Sequence, residues 1–398
     1  MNKKIRLFFL ACFIAMLTVC MSCRADYGED ETSPDGSFDK PFESAVMTDA
    51  HEKEQPDFSG YYFAYDSLRG EERECYRIMY GAIAGFLHDT PLNILDQGRI
   101  QHVFEAVKND HPELFWVGGY TLTQYSRGGN VFEIRFEPDY TMEKEESQAR
   151  QRQIDLYTEQ CLAGVPAGAD DYEKIRYVYE YIILNTDYNL EAEDNQNICS
   201  TFIGRQTVCQ GYASGMQYLL QKLEIPCTVV TGQIAARGNH AWNMVIADGE
   251  YYYVDATWGD PSYGEGSMEN QGINYQYLMV NSADLAKTHV ADPDFLWPVT
   301  ESRKDNYYIR EGLYMEQWED GWIEELIRSA LENGEHLFSF RTSPDAAEET
   351  KDNLITDSGI YRLIRSAQEL SSTKERPVSG VSYSMDEQMN VFTFFLDY

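Results

Sequence analysis

The sequence is poor in positive charge. Its 398 residues contain 32 lysines and arginines against 66 aspartates and glutamates, for a formal net charge of -34. This balance argues against nucleic acid or an anionic membrane surface as the partner of the folded part. A solvated acidic surface is sufficient to explain the excess, and a preference for cationic substrates such as lysine-rich chains is the alternative.

Metal-binding motifs are also absent. The eight cysteines form no zinc-type pairs, and no EF-hand loop or HExxH pattern occurs. We therefore predict neither a metal nor another cofactor. Beyond the N-terminal segment five cysteines remain, an odd number that leaves at least one thiol free or paired outside the chain. A Cys199–Cys227 disulfide stays open, and Cys227 is otherwise explained as a small buried side chain.

No apolar run is long enough to span a membrane comfortably. Residues 7–19 form a short apolar stretch after a basic start, which is typical of a secretory signal. The following residues resemble a bacterial lipobox, with Cys23 as the lipid attachment site and Ser22 as the small residue before it. Cys20 departs from the usual leucine, so cleavage before Cys20, an ordinary cleaved signal and an uncleaved anchor remain alternatives. The resemblance implies an extracytoplasmic protein, either anchored to the membrane by a lipid or secreted.

The rest of the chain divides by composition and periodicity. Eleven acidic residues and two lysines between Asp26 and Asp57 predict a disordered spacer over residues 24–57. We expect an N-terminal α+β domain at 58–165, a motif-bearing domain at 166–300 and a C-terminal α/β module at 305–398. Helical spacing predicts helices over residues 69–86, 97–108, 141–161, 173–184 and 322–331. Alternating patterns predict strands over 120–125, 131–136, 337–341, 378–383 and 391–396. The two flanking domains contain no predicted site, and His102 and His111 are interpreted as structural or surface residues and not as ligands.

Cys209 stands at the start of a predicted helix that ends before Pro226. A cysteine in the first turn lies near the positive end of the helix dipole and near unpaired backbone N–H groups, which favour the thiolate. The same N–H groups can stabilise an oxyanion. Gly211 is expected to leave room for substrate.

A β-hairpin brings a histidine and a carboxylate to the same face. Asp248-Gly249 joins two apolar runs, and a two-residue turn there pairs Ala247 with Glu250. Counting back from this pair along both strands, Trp242 faces Asp255 and His240 faces Thr257. His240 and Asp255 are then diagonal neighbours, roughly 7–8 Å apart at the backbone. Asp255 can orient His240 and stabilise its charged form, whereas a one-residue slip would separate them.

The segments VCQGYA (208–213), HAWN (240–243) and DATW (255–258) resemble the transglutaminase-like core of the papain-like cysteine enzymes. The likeness covers roughly residues 170–261. It implies an α+β fold in which the cysteine-bearing helix packs on an antiparallel sheet. It assigns Cys209 as nucleophile, His240 as general base and acid, and Asp255 as the orienting carboxylate. The flanking domains resemble those found around this core in bacterial secreted or surface proteins.

The resemblance leaves several points open. Trp242 and Trp258 match aromatic positions that line the cleft or belong to the core. Gln206, Gln210 and Tyr188 are candidates for a second oxyanion donor. A protein or peptide amide is the implied substrate, and transamidation, deamidation and peptide cleavage all use the same three residues. The competing class is a catalytically silent surface module that serves in binding or assembly.

Overall fold

The computed structural model describes residues 61–234, 238–260, 272–293, 295–371 and 377–398. The predicted targeting segment with Cys23 and the acidic spacer lie outside these residues. In the part of the chain that is described, no helix is both long and apolar enough to cross a membrane.

The described chain divides into two compact units. The first comprises residues 61–110 and Trp116–Ser147, and the second comprises His111–Phe115 and Gln148–Tyr398. The second unit contains all three motif segments. The three-domain division drawn from the sequence stays a prediction.

The first unit is built from three helices and one small sheet. Its elements are α1 (Phe63–Ser67), α2 (Glu71–Gly85), β1 (Thr90–Pro91), α3 (Gln97–Asp110), β2 (Val117–Arg127) and β3 (Asn130–Tyr140). The sheet order is β1-β3-β2, and the β2–β3 hairpin extends well beyond the predicted strands. It turns at Gly128 and Gly129, which both have positive φ and suit the tight connection. The buried Asp110 carboxylate accepts hydrogen bonds from the Ala64 and Tyr65 backbone N–H groups and from the Tyr76 hydroxyl.

The motif-bearing part begins with two helices, α4 (Lys144–Ala163) and α5 (Asp171–Asn185). Asp170 and Glu173 form a reciprocal capping box at the start of α5. The elements that follow are β4 (Asp187–Tyr188), a π-helical turn (Ser200–Gly204), β5 (Gln206–Thr207), α6 (Cys209–Lys222), β6 (Cys227–Ile234), β7 (Gly238–Ala247), β8 (Glu250–Val254), α7 (Ala256–Gly259), α8 (Ser282–Leu285) and β9 (His289–Ala291). Strands β8-β7-β6-β9 form an antiparallel sheet in that order, and β4 pairs with β5 in parallel.

The C-terminal part is a sheet covered by helices. Its elements are α9 (Tyr307–Arg310), β10 (Tyr314–Met315), α10 (Asp320–Asn333), β11 (Leu337–Thr342), α11 (Pro344–Lys351), a second π-helical turn (Asp352–Thr356), α12 (Gly359–Leu370), β12 (Gly380–Asp386) and β13 (Val391–Asp397). The sheet order is β10-β11-β13-β12. Ile323 and Ile327 of α10 and Leu363 of α12 share one apolar core with Phe340 and Phe392 of the sheet. The sequence predicted α10 and three of the strands but not α11 or α12.

The mixed α+β architecture agrees with the fold class predicted from the sequence. A cysteine-bearing helix, α6, packs on the antiparallel sheet made by β6 and β7, as the papain-like and transglutaminase-like core requires.

Candidate active site

Cys209 is the first residue of α6, as the sequence predicted. The preceding Val208 is extended, with φ -114° and ψ -177°, so the chain enters the helix abruptly at the cysteine. Ala213, one turn further on, packs against Val229 of β6 and Ala241 of β7, and Cys209 lies against this cluster. These contacts fix the first turn of α6 on the two strands beside the histidine-bearing segment.

Gly211 serves a different purpose from the one expected. It is buried, and a Cβ atom there would lie 1.8 Å from Thr207 Oγ1 and 3.1 Å from Ser200 Oγ. The missing side chain therefore makes room for Thr207 and not for substrate, so that expectation was wrong. Thr207 Oγ1 and Ser200 Oγ share a hydrogen bond of 2.6 Å, which ties β5 to the π-helical turn beneath the start of α6.

The hairpin has the predicted register. Ala247 pairs with Glu250, and Asp248 and Gly249 both have positive φ, as a type I′ turn requires. The pairing ends at Asn243–Val254, however, so the ladder pairs expected for Asp255 and Thr257 do not form. The chain turns into α7 instead, and Asp255 is its N-cap: Oδ1 accepts the backbone N–H groups of Thr257 and Trp258. With Oδ1 held by this cap, the second carboxylate oxygen, Oδ2, points across the sheet face toward His240.

The carboxylate, the imidazole and the thiol form a continuous chain of contacts. His240 Nε2 donates to Asp255 Oδ2 over 2.7 Å, and the His240 ring is hydrogen-bonded to the Cys209 side chain. The His240 side chain is 2% exposed and that of Asp255 is 0% exposed, whereas Cys209 is partly exposed. The structure thus brings together the three residues that the sequence singled out.

The electrostatics favour a charged imidazole. Burial of the His240 ring works against its charge, but the Asp255 carboxylate and the Cys209 side chain outweigh it and raise the His240 pKa to about 10. Burial likewise works to raise the pKa of Asp255, but its two histidine partners hold that pKa well below the ordinary value.

A second histidine contacts the same carboxylate. His289 Nε2 lies 3.1 Å from Asp255 Oδ2, and its side chain is 0% exposed. Its other ring nitrogen, Nδ1, lies 2.8 Å from Thr288 Oγ1. Sequence reasoning missed His289 because no motif surrounds it, and because its strand, β9, joins the sheet from a distant segment.

The two tryptophans occupy different positions. Trp242 is 1% exposed, and its ring centroid lies 4.9 Å from that of His289, which is a core position behind the histidines. Trp258 is partly exposed and packs against both His289 and Tyr277, with centroid distances of 4.9 and 4.8 Å. Trp258 is therefore the better placed of the two to border a cleft.

The candidates for a second oxyanion donor have protein partners. Gln206 Oε1 accepts from Asn189 Nδ2 over 2.8 Å, and Gln210 Nε2 donates to Ser214 Oγ over 3.2 Å. Tyr188 lies on β4 and pairs with Thr207. Backbone N–H groups at the start of α6 remain the donors closest in sequence to the sulfur.

The remaining cysteines differ from Cys209. The described chain contains no disulfide, and Cys75, Cys161, Cys199 and Cys227 are all buried. Burial raises the pKa of Cys75 and of Cys161 to about 12 and raises that of Cys227 as well. The Cys199–Cys227 disulfide does not form, and Cys227 is a buried small side chain.

Three of the site residues carry the donor atoms of a metal site. His240, Asp255 and His289 offer ligand atoms within 4.8 Å of one another. The same atoms are joined by hydrogen bonds, with both Nε2 atoms donating to one carboxylate oxygen. Protons therefore satisfy this cluster without an ion.

Comparisons with known proteins find one family model and several relatives that match this segment. The model of the transglutaminase-like superfamily matches residues 160–256. Kyphoscoliosis peptidase of Mus musculus is 30% identical over 105 residues, which is 22% of this chain and 16% of that protein. Cytokinesis protein 3 of Schizosaccharomyces pombe is 23% identical over 144 residues, which is 31% of this chain and 16% of that protein.

A structural comparison finds a putative cysteine protease from Cytophaga hutchinsonii with a TM-score of 0.25 and 16% identity, covering 36% of this chain and 63% of the other. The match to each of the two curated relatives spans about a sixth of that relative's length. The family model and the placement of the cysteine-bearing helix on the antiparallel sheet lead to one conclusion: the chain contains a domain of the transglutaminase-like superfamily.

Proposed function

We propose that the protein is a cysteine enzyme that acts on protein or peptide amides through a thioester on Cys209. The observation that carries this proposal is the contact chain from Asp255 through His240 to Cys209 at the start of α6. A thiol, a buried imidazole and a buried carboxylate in that order supply a nucleophile, a proton carrier and a group that orients and charges the carrier.

In the first half-reaction the Cys209 thiolate attacks the amide carbonyl carbon and forms a C–S bond. Negative charge develops on the carbonyl oxygen, and backbone N–H groups at the start of α6 are suited to stabilise it. The C–N bond then breaks, and the His240 imidazolium donates its proton to the departing amine. Asp255 keeps the ring oriented throughout.

In the second half-reaction an acceptor attacks the thioester. His240, now neutral, takes a proton from a water molecule or an amine as the new bond forms, and the C–S bond breaks to restore the thiolate. Water yields hydrolysis, which is deamidation at a glutamine or cleavage at a peptide bond. An amine yields transamidation. The curated relatives named as peptidases add support for a hydrolytic outcome.

We further propose that the enzyme works outside the cytoplasm, held at a membrane by a lipid on Cys23 or secreted. The support is the basic start, the short apolar stretch and the lipobox-like residues of the sequence. A protein or peptide is the proposed partner, and the excess of acidic residues speaks against nucleic acid.

Selective alkylation tests whether Cys209 is an activated nucleophile. The protein is treated with iodoacetamide at neutral pH, and labelling of each cysteine is measured by peptide mass spectrometry. We expect Cys209 to react fastest and the His240→Ala variant to lose this selectivity. Cys75 and Cys161 serve as internal controls because both are buried thiols. Labelling of Cys209 no faster than these two would leave the silent binding module as the better account.

A second measurement separates the outcomes. The protein is incubated with a glutamine-bearing protein and a labelled primary amine, with the Cys209→Ala variant as the matched control. Amine incorporation identifies a transamidase, new N-termini identify a peptidase, and a one-dalton mass gain at glutamine identifies a deamidase. If none of these products depends on Cys209, amide chemistry is excluded for that substrate.

A further inference from the structure

The Asp255 carboxylate is shared by two imidazoles through a single oxygen. His240 and His289 both place Nε2 within hydrogen-bonding distance of Oδ2, at 2.7 and 3.1 Å. Oδ1 is occupied by the two backbone N–H groups of α7. A carboxylate bound in this way has no freedom to rotate away from His240, since every change of its torsion breaks several hydrogen bonds at once.

Both ring nitrogens of His289 have partners within hydrogen-bonding distance. The Thr288 hydroxyl can donate to Nδ1, and Thr288 Oγ1 in turn lies 2.9 Å from the Tyr277 hydroxyl. With Nδ1 as the acceptor, a neutral His289 has its proton on Nε2 and donates it to Asp255. A carboxylate oxygen can only accept, so whether the ring is neutral or charged, His289 supplies Asp255 with an N–H donor through Nε2.

The sheet explains how a residue so far along the chain reaches this position. Gly232 of β6 pairs with His240 on one side and with Ala291 of β9 on the other, and His289 pairs with Ile234 two residues away. His240 and His289 therefore share one sheet face, with ring centroids 5.6 Å apart.

Gly232 is what allows this close packing. A Cβ atom at position 232 would lie 2.2 Å from the Val290 carbonyl oxygen and 2.7 Å from Trp242 Cη2. Without a side chain at 232, the indole of Trp242 covers the strand and packs edge-on against His289.

We infer that His289 is a positioning residue of the active site, which donates through Nε2–H to Asp255 and keeps that carboxylate ionised and aimed at His240. This inference rests on the proposed cysteine-enzyme function. His289 acts through Asp255, and its effect reaches the sulfur through the charge of His240.

The other titratable groups that face Asp255 do not compete for this role. Tyr179 of α5 and Tyr277 are both close enough to sense its charge, and burial raises the pKa of each well above the ordinary value. Both remain neutral hydroxyls over the working range. The protonation of Asp255 is therefore governed by its two histidines.

The pH profile of Cys209 alkylation tests the inference. The rate is measured with iodoacetamide from pH 4 to 9 (about half a unit per step) for the wild type and for His289→Phe, His289→Gln and Thr288→Val. In His289→Phe the carboxylate is no longer held toward His240, so the imidazolium charge beside the sulfur is less stabilised. The acidic side of the alkylation profile, where the thiolate takes up a proton, should then move up by roughly one pH unit. On the acidic side of the wild-type profile the rate should then fall about tenfold. His289→Gln, which retains an N–H donor, should recover most of the shift.

Thr288→Val keeps the test decisive if His289→Phe fails to fold. It removes the hydroxyl that contacts Nδ1 of His289 and so loosens the ring, and we expect a smaller shift of the acidic side of the profile in the same direction. His336→Phe is the matched control, because His336 is exposed in the C-terminal part, and its profile should coincide with that of the wild type.

The outcomes distinguish this inference from the proposed function. If iodoacetamide labels Cys209 selectively in the wild type, but the pH profiles of the folded His289 and Thr288 variants coincide with the wild-type profile, the positioning role alone is overturned. A wild type without selective labelling of Cys209 overturns the proposed function and the positioning role with it. A shift in His289→Phe that His289→Gln reverses supports both.

Discussion

At the scale of single residues, Asp255 is the most heavily used side chain of the site. It is the N-cap of α7 and the shared acceptor of two histidines, and its side chain is 0% exposed. A buried carboxylate is stable only when its charge is compensated and its oxygens are hydrogen-bonded. Asp255 meets both conditions, so its removal should affect chemistry and stability together.

The Asp255→Asn substitution should reduce the Cys209 alkylation rate by roughly 10²- to 10⁴-fold. The amide retains a capping oxygen for α7 but gives no charge to stabilise the His240 imidazolium. Iodoacetamide labelling at neutral pH measures the change. Asp260→Asn is the matched control, since Asp260 is also buried and hydrogen-bonds Tyr212 instead of His240. Equal losses in both variants would contradict a specific role for Asp255.

The His240–Asp255 pair also predicts how stability depends on pH. The His240 pKa rises from an ordinary 6.5 to about 10 on folding, so the stabilisation from its charge is complete below about 6.5 and is lost as the pH rises through about 10. The Asp255 pKa is lowered on folding, so its contribution is present above about 3.8 and is lost as the pH falls further.

Urea unfolding of the wild type and of Asp255→Asn at several pH values tests this dependence. The stability advantage of the wild type should be largest between about pH 4 and 6.5 and should shrink steadily toward pH 10. An advantage that stays constant over this range would contradict a charged His240 in the folded protein.

At the scale of elements, the site depends on two short transitions. One is the abrupt start of α6 at Cys209, and the other is the change from β8 to α7 at Asp255. Each places a reactive side chain at the first residues of a helix, where backbone N–H groups have no partner within the helix. The tight contact between Gly211 and Thr207 fixes the first of these transitions.

Gly211→Ala should destabilise the protein by about 1–3 kcal/mol, because the new methyl group overlaps Thr207 Oγ1. Urea midpoints at neutral pH measure the effect. The double variant Gly211→Ala with Thr207→Ala, which removes the closest atom, should recover part of the loss. Gly81→Ala is the control, since a Cβ there has no atom within 4 Å, and it should be neutral or slightly stabilising. An unchanged urea midpoint in Gly211→Ala would contradict this expectation, because it would show that β5 shifts to accommodate the methyl group at little cost in stability.

At the scale of the whole molecule, the C-terminal sheet belongs to the same compact unit as the motif-bearing core. A buried ion pair joins them: Arg341 of β11 donates to Asp284 of α8 over 2.7 Å, and the Arg341 side chain is 4% exposed. Lys287 also contacts Asp284, from a more exposed position. The Asp284 carboxylate therefore pairs with two cations, Lys287 and Arg341. The buried Arg341 guanidinium, in contrast, depends on Asp284 for its ion pair.

Asp284→Asn should cost about 3 kcal/mol or more, because it leaves the Arg341 charge buried and uncompensated. Arg341→Met should cost less, since Lys287 still pairs with the carboxylate. Urea unfolding of both variants and of the double variant gives the coupling energy. Asp320→Asn, which removes an exposed pair with Arg362, is the control and should cost less than about 1 kcal/mol. Equal costs at Asp284 and Asp320 would contradict a buried link.

Much of the site could be predicted because its signals are local. Helical periodicity and the start of α6 identified Cys209, and Asp248-Gly249 set the hairpin register. The ladder was extended three pairs too far, since nothing in the pattern shows that α7 begins at Ala256. Gly211 was misjudged because the atom that needs its space, Thr207 Oγ1, is set by packing between β5 and α6.

The sequence by itself determined the order of Cys209, His240 and Asp255, the helix start at Cys209 and the register of the hairpin at Ala247–Glu250, since a two-residue turn and a helix start are fixed by neighbouring residues. Only the tertiary structure decided that His289 completes the carboxylate's environment. Strand β9 joins β6 after a long excursion of the chain, and Gly232 permits the contact by having no side chain. Such a contact depends on which segments of the chain meet, and that is set by the packing of the whole sheet.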